Sequence, residues 1–240
     1  MVRRVTSMNS DIFRPTGALR AELELATSNY QDVIRILGEQ LSEQRTERID
    51  AVIGCRTRRL AVAVEGVHDP HNTAAIMRTA DALGIQTFHV IENGTSFLSS
   101  RKVTQGAHKW LDLGVWRGFD EFLEAMGQHG YKVLVAAADG NVSVGDLNTS
   151  DEKMVLVFGN EAEGISSRLR EGADGTFCVP MVGFVDSFNV SVAAAISMFA
   201  VRAGRSGDLA SQEKEVLKAR YYLRAVKSGY DIVQEALRRN

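Results

Sequence analysis

Short runs of aliphatic and β-branched residues alternate with helical segments through the middle of this chain, and most runs end at a glycine or polar loop. This alternation predicts an α/β fold, a mostly parallel sheet with helices on both faces. Ligands of such sheets bind beyond the carboxyl ends of the strands, so the loops there are the candidate site. The predicted strands are Leu60–Glu65, Gln86–Ile91, Tyr131–Ala137, Met154–Phe158 and Thr176–Met181. The predicted helices between and after them are His71–Leu83, Phe119–Met126 and Ser187–Ala203. The first of these is opened by Asn72, a favourable N-cap residue that follows Pro70.

Both ends of the chain carry apolar residues at helical spacing, which predicts helices over residues 17–53 and 209–240. We therefore expect three parts. Residues 1–44 form a helical extension, residues 45–203 form the α/β domain, and residues 204–240 form a basic helical extension.

Composition excludes several classes of protein. Hydrophobic residues make up 45% of the chain and charged residues 24%, which is typical of a globular protein. The longest apolar stretch, Val190–Val201, is too short to span a bilayer, and the N-terminus lacks the apolar core of a signal peptide. Cys55 and Cys178 stand alone, as buried thiols in a reducing compartment do. These features predict a cytoplasmic protein with no membrane contact.

Charge is distributed unevenly along the chain. Residues 1–60 carry ten basic against eight acidic residues, and residues 202–240 carry nine against five. The segment between them carries nine against seventeen. Basic ends around an acidic centre are compatible with a polyanion held by the ends, but solvated helix faces would give the same pattern.

Several common active-site signatures are absent from the sequence. It contains no GxGxxG, GxxxxGK[ST], HExxH or GxSxG, and its five histidines do not show a spacing typical of metal ligands. A dinucleotide, phosphate-loop or metal-dependent enzyme is therefore not indicated.

Three segments at predicted strand ends or helix starts carry the polar residues that remain. The helix His71–Thr79 holds an asparagine and an arginine, and the loop Phe158–Ile165 holds two glutamates between glycines. Either segment alone is compatible with an ordinary surface. The third, Val179–Ala193, opens an apolar helix with the pair Ser187 and Asn189. Ser187 alone would cap that helix, but Asn189 then falls inside it, which favours a functional role.

In this order, the three segments resemble the three motifs of the SPOUT superfamily, specifically the TrmH-type tRNA/rRNA ribose 2′-O-methyltransferases. The run PMVGFVDSFNVSVA is the most specific of them, and Gly106–Trp110 is similar to the tRNA branch. Phe188 stands where that family usually has leucine, which leaves the shape of the adenine pocket open. The resemblance covers about residues 45–203 and implies a sheet whose C-terminal part is threaded into a trefoil knot.

The resemblance also implies S-adenosylmethionine as the cofactor, held by loops rich in glycine and small residues. Arg78 matches the catalytic arginine of the family. The residues that match positions orienting the ribose or the cofactor are Asn72, Glu161, Ser187 and Asn189. The implied cofactor-binding residues are Ala136, Gly159, Asn160, Glu161, Ala162, Glu163, Val179, Met181 and Phe188.

Family members are homodimers that bind RNA, so we expect both properties here. Residues expected to grip the RNA backbone are Arg56, Arg58, Arg59, Arg220 and Arg224. The best-matching activity is 2′-O-methylation of a D-loop guanosine in tRNA, since residues 1–44 look too short and too helical for the RNA-binding domain often found in the rRNA branch. The alternatives are a 23S rRNA methyltransferase and a knotted RNA-binding protein without catalysis.

Overall fold

The computed structural model describes residues 18–67, 69–92, 109–160 and 163–239. They form two compact units. Residues 18–56 and 206–239 make the terminal unit, and the described residues between 57 and 205 make the sheet unit. Among the described residues no helix is both long and apolar enough to cross a membrane.

The helices and strands are numbered in chain order. The α-helices are α1 (Ala18–Ser28), α2 (Tyr30–Gly38), α3 (Glu43–Gly54), α4 (Pro70–Ala82), α5 (Phe119–Gln128), α6 (Ser167–Gly172), α7 (Val190–Arg202), α8 (Ser211–Ala225) and α9 (Gly229–Arg238). The strands are β1 (Thr57–Glu65), β2 (Ile85–Ile91), β3 (Asp112–Trp116), β4 (Tyr131–Ala136), β5 (Val142–Ser143), β6 (Lys153–Phe158) and β7 (Gly175–Cys178). A 3₁₀-helix covers Val144–Thr149.

The strands of the sheet unit form one sheet in the order β3-β2-β1-β6-β4-β7-β5. Each neighbouring pair is parallel. The predicted parallel sheet flanked by helices is therefore confirmed, and its central strands β1 and β6 are buried almost throughout, as strands covered on both faces are.

Side chains alternate between the two faces of the sheet, so each face has its own apolar core. On one face, Leu60, Val62 and Val64 of β1 pack with α4, α7 and the 3₁₀-helix. On the other, Ala61 and Ala63 pack in the core that α5 and α6 complete. The order of the strands brings the carboxyl ends of β1, β6, β4 and β7 to one edge.

Two strands and one α-helix of the sheet unit were not predicted from sequence. The strand β3 is only five residues long and contains Asp112 and Gly114, so its pattern is weak, and its place depends on pairing with β2. The strand β5 has two residues and α6 has six, which is too short for periodicity to appear. In addition, β7 ends at Cys178, three residues before the predicted strand ends.

The terminal unit is built around α8, which packs against α1, α2 and α3, while α9 packs against α2 and α8. The helix predicted over residues 17–53 is three helices. Breaks occur at Asn29 and before Ser42, whose hydroxyl accepts a hydrogen bond from the Arg45 N–H and caps α3. The helix predicted over 209–240 is two helices, separated at Ser228, which has φ of 57°.

A buried histidine lies at the centre of the β2 strand. His89 is fully buried, and its Nδ1 accepts a hydrogen bond of 3.1 Å from the indole Nε1 of Trp116. The ring of Phe122 packs edge-on against it. Burial lowers the pKa of His89 from 6.5 to about 3, although the charge of Asp112 acts in the opposite direction. His89 is therefore neutral in the folded protein at all ordinary pH values.

Mild acid is expected to destabilise the protein through His89. The unfolded chain binds a proton at His89 below pH 6.5, whereas the folded chain does not until about pH 3. The contribution of neutral His89 to the free energy of unfolding is complete above pH 6.5. Below pH 6.5 it falls by about 1.4 kcal/mol per pH unit. Urea titrations at pH 6.5, 5.5 and 4.5 give the free energy of unfolding at each pH. In His89→Phe this free energy should fall less steeply with decreasing pH than in the parent, by about the same amount per pH unit. In the control, His71→Gln, an exposed histidine is lost and the parent slope should remain. Equal slopes in parent and His89→Phe would contradict this account.

Candidate functional site

A cleft of about 470 Å³ opens at the carboxyl edge of the sheet. Ala136 at the end of β4, Phe158 at the end of β6 and Cys178 at the end of β7 lie in its wall. The loops that follow these strands and the first turn of α7 complete the wall. Its volume lies within the range of small-molecule pockets, roughly 300–1,000 Å³, and it occupies the edge at which parallel sheets bind ligands.

Backbone approaches backbone very closely in one wall of the cleft. A Cβ atom on Gly159 would overlap the Gly164 carbonyl group and lie 2.6 Å from the Ile165 nitrogen. Asn160 and Gly164 exchange two backbone hydrogen bonds of 2.9 Å, and Gly164 has φ of 70°. This loop therefore requires glycine at both positions.

The side chain of Asn160 holds the same loop from within. Its Oδ1 accepts a hydrogen bond from the Glu163 N–H at 3.1 Å, and its Nδ2 donates to the Gly66 carbonyl at 2.9 Å. The loop is thus tied to the segment that follows β1. The two residues between Asn160 and Glu163, the predicted site residues Glu161 and Ala162, lie outside the described residues.

The start of α7 differs from the prediction. The helix begins at Val190, and Asn189 is its N-cap, accepting hydrogen bonds from Ser191 N–H at 2.9 Å and from Ser191 Oγ at 2.6 Å. The expectation that Asn189 lies inside the helix is wrong, so capping accounts for part of its role. Its Nδ2 donates to Asn72 Oδ1 at 3.3 Å, which joins the first turns of α4 and α7. Ser187 lies in the preceding loop and lines the cleft.

The N-terminus of α4 also differs in detail. Asp69, not Asn72, is the N-cap, since its carboxylate accepts from the His71 N–H at 2.8 Å and Pro70 occupies the first helical position. The side chain of Asn72 accepts a hydrogen bond from Asn189 instead.

The predicted catalytic arginine lies in the middle of α4. Arg78 is exposed, forms no ion pair with any described residue, and is not part of the cleft wall. Its guanidinium therefore faces solvent.

Seven of the nine predicted cofactor-binding residues line the cleft, and the other two are Glu161 and Ala162. The seven are Ala136, Gly159, Asn160, Glu163, Val179, Met181 and Phe188.

Sequence reasoning missed an ion pair at the cleft. Asp139, in the loop after β4, accepts a hydrogen bond of 2.8 Å from Arg170 of α6, and both residues line the cleft. The bond to Arg170 lowers the pKa of Asp139 from its ordinary value. The position of Asp139 directly after a strand could have indicated it. Arg170 could not be found in this way, because α6 is too short for its periodicity to appear in the sequence.

The arginines expected to grip RNA are mostly structural. Arg56 and Arg220 are 1% exposed, and Arg58 is buried in an ion pair of 2.6 Å with Asp112. The RNA-backbone role predicted for these three is wrong, because a buried guanidinium does not reach a phosphate.

The other two predicted arginines also have acidic partners. Arg224 is largely buried beside Glu22, at 3.2 Å, which excludes it in the same way. Arg59 is partly exposed and pairs with Asp151 at 3.1 Å.

The terminal unit is also less basic than the ends of the sequence indicate. Residues 18–56 and 206–239 together carry twelve basic and twelve acidic residues. Several of these charges pair within the unit, among them Lys218 with Asp50 at 2.8 Å. Net charge therefore does not identify this unit as a surface for RNA.

The fold and the cleft define an α/β protein whose ligand site is built from loops at the carboxyl edge of a parallel sheet. The chain belongs to the SpoU rRNA methylase family, whose sequence profile matches residues 59–199.

Relatives within the family act on two kinds of RNA. The tRNA (guanosine(18)-2′-O)-methyltransferase of Thermus thermophilus is 34% identical over 66% of this chain and 81% of its own length. The enzyme of that name from Borreliella burgdorferi is 29% identical over 85% of this chain and 95% of its own. The 23S rRNA (guanosine-2′-O-)-methyltransferase RlmB of Pseudomonas aeruginosa is 33% identical over 83% of this chain and 82% of its own.

The solved structures that match this chain also include a tRNA-modifying enzyme and an rRNA methyltransferase. The TrmH/SpoU tRNA modifying enzyme of Aquifex aeolicus superposes with a TM-score of 0.66 at 27% identity, over 77% of this chain and 98% of that one. An AdoMet-bound rRNA methyltransferase from Sinorhizobium meliloti gives a TM-score of 0.54 at 25% identity, over 64% of this chain and 59% of that one.

Proposed function

We propose that this protein is an S-adenosylmethionine-dependent RNA ribose 2′-O-methyltransferase that acts on a guanosine of the tRNA D loop, at the position numbered 18 in the names of its relatives. The observation that carries the proposal is the cleft, which gathers the family's second and third motifs at the carboxyl edge of the sheet. Its volume suits a nucleoside-sized cofactor, and backbone packs closely against backbone at Gly159 in its wall. A cytoplasmic location, where tRNA is modified, belongs to the same proposal.

The chemistry assigns distinct roles to the motif residues. S-adenosylmethionine, when bound, supplies a methyl group on a sulfonium, and the ribose 2′-oxygen that accepts this methyl must lose its proton. Arginine side chains in general keep their proton in proteins, so we do not assign Arg78 the role of the base. Its guanidinium instead stabilises the developing alkoxide and binds an RNA phosphate, and that phosphate or a water takes the proton. Asn72, Ser187, Asn189 and Glu161 orient the ribose or the cofactor.

The choice of tRNA over rRNA rests on the similarity to tRNA-modifying enzymes over almost their whole length. The match covers 95% of the Borreliella burgdorferi enzyme and 98% of the Aquifex one. A 23S rRNA target remains the second candidate, because RlmB is 33% identical over most of this chain.

The decisive experiment is transfer of labelled methyl from S-adenosylmethionine to unmodified tRNA and, separately, to unmodified rRNA, followed by nucleoside analysis. A 2′-O-methylguanosine signal in tRNA is expected. A signal in rRNA alone would keep the reaction and overturn the substrate. Cofactor binding without transfer to either RNA would favour a non-catalytic RNA-binding protein, and absence of cofactor binding would overturn the enzyme.

The trefoil knot belongs to this proposal as well. The last strand, β7, lies between β4 and β5, which both precede it in the chain. The connection after β4 crosses β7 closely, since a Cβ atom on Gly140 would lie 2.7 Å from the Cys178 nitrogen. Such a crossing supports a threaded chain, which is rare among folds.

A homodimer formed through α7 is the remaining part of the proposal. Val192, Ile196 and Phe199 recur at helical spacing on α7 and are exposed, as are Phe184 and Val185 in the loop before it. Monomeric proteins rarely expose a patch of this kind. The patch adjoins Phe188, which lines the cleft, so a second copy seated on it would lie beside the site. A twofold axis pairs the same patch on both copies, so the resulting dimer is closed and leaves no copy of the patch exposed.

Placing a charge in this patch is expected to convert the dimer to a monomer. Phe199→Asp buries a carboxylate in the proposed interface, which should weaken association at least 100-fold. Sedimentation velocity over a dilution series measures the change. Gln128→Asp adds the same charge on α5, on the opposite face of the sheet, and should remain dimeric. A parent protein that is monomeric at micromolar concentration, or a dimeric Phe199→Asp, would contradict the assignment.

A further inference from the structure

A buried carboxylate at the cleft edge has no role in the chemistry described above. Glu65 is the last residue of β1, at the sheet edge where the cleft opens, and it is 2% exposed. Glutamate is almost never buried to this extent unless it is paired. Its Oε2 accepts a hydrogen bond of 2.9 Å from the backbone N–H of Ser166. Its Oε1 is buried and has no hydrogen-bond partner among the described residues.

Ser166 ends the loop that forms one wall of the cleft. Its hydroxyl caps α6 by accepting from the Leu169 N–H at 3.3 Å, so the position of Ser166 also sets the start of α6. The Glu65 carboxylate therefore fixes the far end of the loop.

The residue after Glu65 fixes the near end. The Gly66 carbonyl accepts the hydrogen bond from Asn160 Nδ2 at 2.9 Å, and Gly66 has φ of 57°, which allows this turn without strain. Between these two anchors the loop is closed by the paired backbone bonds of Asn160 and Gly164. Two adjacent residues at the end of β1 thus hold both ends of one wall of the cleft.

We propose that Glu65 is a positioning residue for S-adenosylmethionine, acting through Ser166 to hold residues 163–166 of the cleft wall where they bind the cofactor. The inference rests on the proposed function of the cleft. The same strand leads directly into α4, which carries Asn72 and Arg78, so Glu65 and Gly66 join the cofactor loop to the catalytic helix. A carboxylate suits this position because hydrogen bonds that it accepts are stronger than those accepted by a neutral group.

Cofactor binding separates this role from a general contribution to folding. Glu65→Ala removes the acceptor and is expected to raise the calorimetric Kd for S-adenosylmethionine at least tenfold. Glu65→Gln keeps an oxygen that accepts from Ser166 and should restore the Kd to within threefold of the parent. In steady-state assays Glu65→Ala should raise KM for the cofactor while KM for tRNA changes less than twofold.

A second buried carboxylate provides the matched control. Asp112 is 2% exposed, begins β3 at the opposite edge of the sheet, and pairs with Arg58 and Gln86. Asp112→Asn should lower the thermal midpoint as much as the Glu65 variants do, and leave the cofactor Kd unchanged. If Glu65→Ala does not fold, Glu65→Asp decides, since its shorter side chain does not reach Ser166 and should raise the Kd equally.

The possible outcomes are distinct. A parent protein that does not bind S-adenosylmethionine overturns the proposed function itself. A parent that binds, with a Glu65→Ala or Glu65→Asp variant of unchanged Kd, overturns only the role of Glu65. If Glu65→Gln does not restore binding, or if Asp112→Asn loses as much cofactor affinity, Glu65 contributes only to the stability of the fold.

Discussion

Replacing Arg78 with lysine is expected to lower kcat for methyl transfer to tRNA by about 100-fold, and replacing it with alanine by about 1,000-fold. Removing one preorganised group that stabilises developing negative charge typically costs a factor of this order. Lysine keeps the positive charge but lacks the planar fork that contacts an alkoxide and a phosphate together. The Kd for S-adenosylmethionine should stay within twofold of the parent, because Arg78 is not part of the cleft wall.

Arg117 offers a matched control for the lysine substitution. It is an exposed arginine of the same unit, immediately after β3, and Arg117→Lys should retain parent activity. Single-turnover kinetics with saturating tRNA separate the chemical step from RNA binding. Near-normal turnover in Arg78→Lys would show that the reaction needs only a positive charge at this position. Loss of cofactor binding in the same variant would move Arg78 from the catalytic step to the cofactor site.

The fold and most of the cleft were predictable because their signals are local. Apolar runs such as those of β1 and β6 are long enough to identify strands. Position after a strand indicated the loop at Gly159, and the resemblance to the SPOUT motifs assigned Gly159 and Val179 to the cofactor. The helix α4 was also predicted, although its cap was assigned to Asn72. Asp69 competes for the same role, and Pro70 at the first helical position decides in favour of Asp69.

The errors concern residues whose role depends on partners far away in the chain. Arg58 is basic in sequence, but it pairs with Asp112, which lies on a strand that the pattern did not reveal. Arg224 likewise meets Glu22 at the other end of the chain. Glu65 gave no signal as the last residue of an apolar run, because its importance lies in the hydrogen bond to Ser166, 101 positions later.

Asn189 shows how a structural and a functional role coincide in one side chain. Its Oδ1 caps α7, which is the explanation that sequence reasoning assigned to Ser187 instead. Its Nδ2 contacts Asn72, and this contact joins the two helices on which the family's first and third motifs begin. Substituting Asn189 would therefore change both capping and site geometry, so it is a poor choice for separating them.

Gly159 offers a cleaner test of the cleft, and Gly159→Ala is expected to raise the Kd for S-adenosylmethionine by about 100-fold. The added Cβ would overlap the Gly164 carbonyl group and lie 2.6 Å from the Ile165 nitrogen, and all of these neighbours are backbone atoms. Backbone does not rotate aside as a side chain does, so the loop must move. A misplacement of about 1 Å costs a reaction roughly 100-fold in rate, and we expect a loss of the same order in cofactor affinity.

Gly183→Ala is the matched control for this change, because it lies in the loop of the third motif and a Cβ there meets nothing within 4 Å. It should keep the parent Kd, which isothermal titration calorimetry measures for both variants. The circular dichroism of Gly159→Ala should match the parent, since the strand β6 ends one residue earlier. A folded Gly159→Ala with unchanged affinity would mean that the cofactor does not use this wall, and the site would have to be sought elsewhere along the sheet edge.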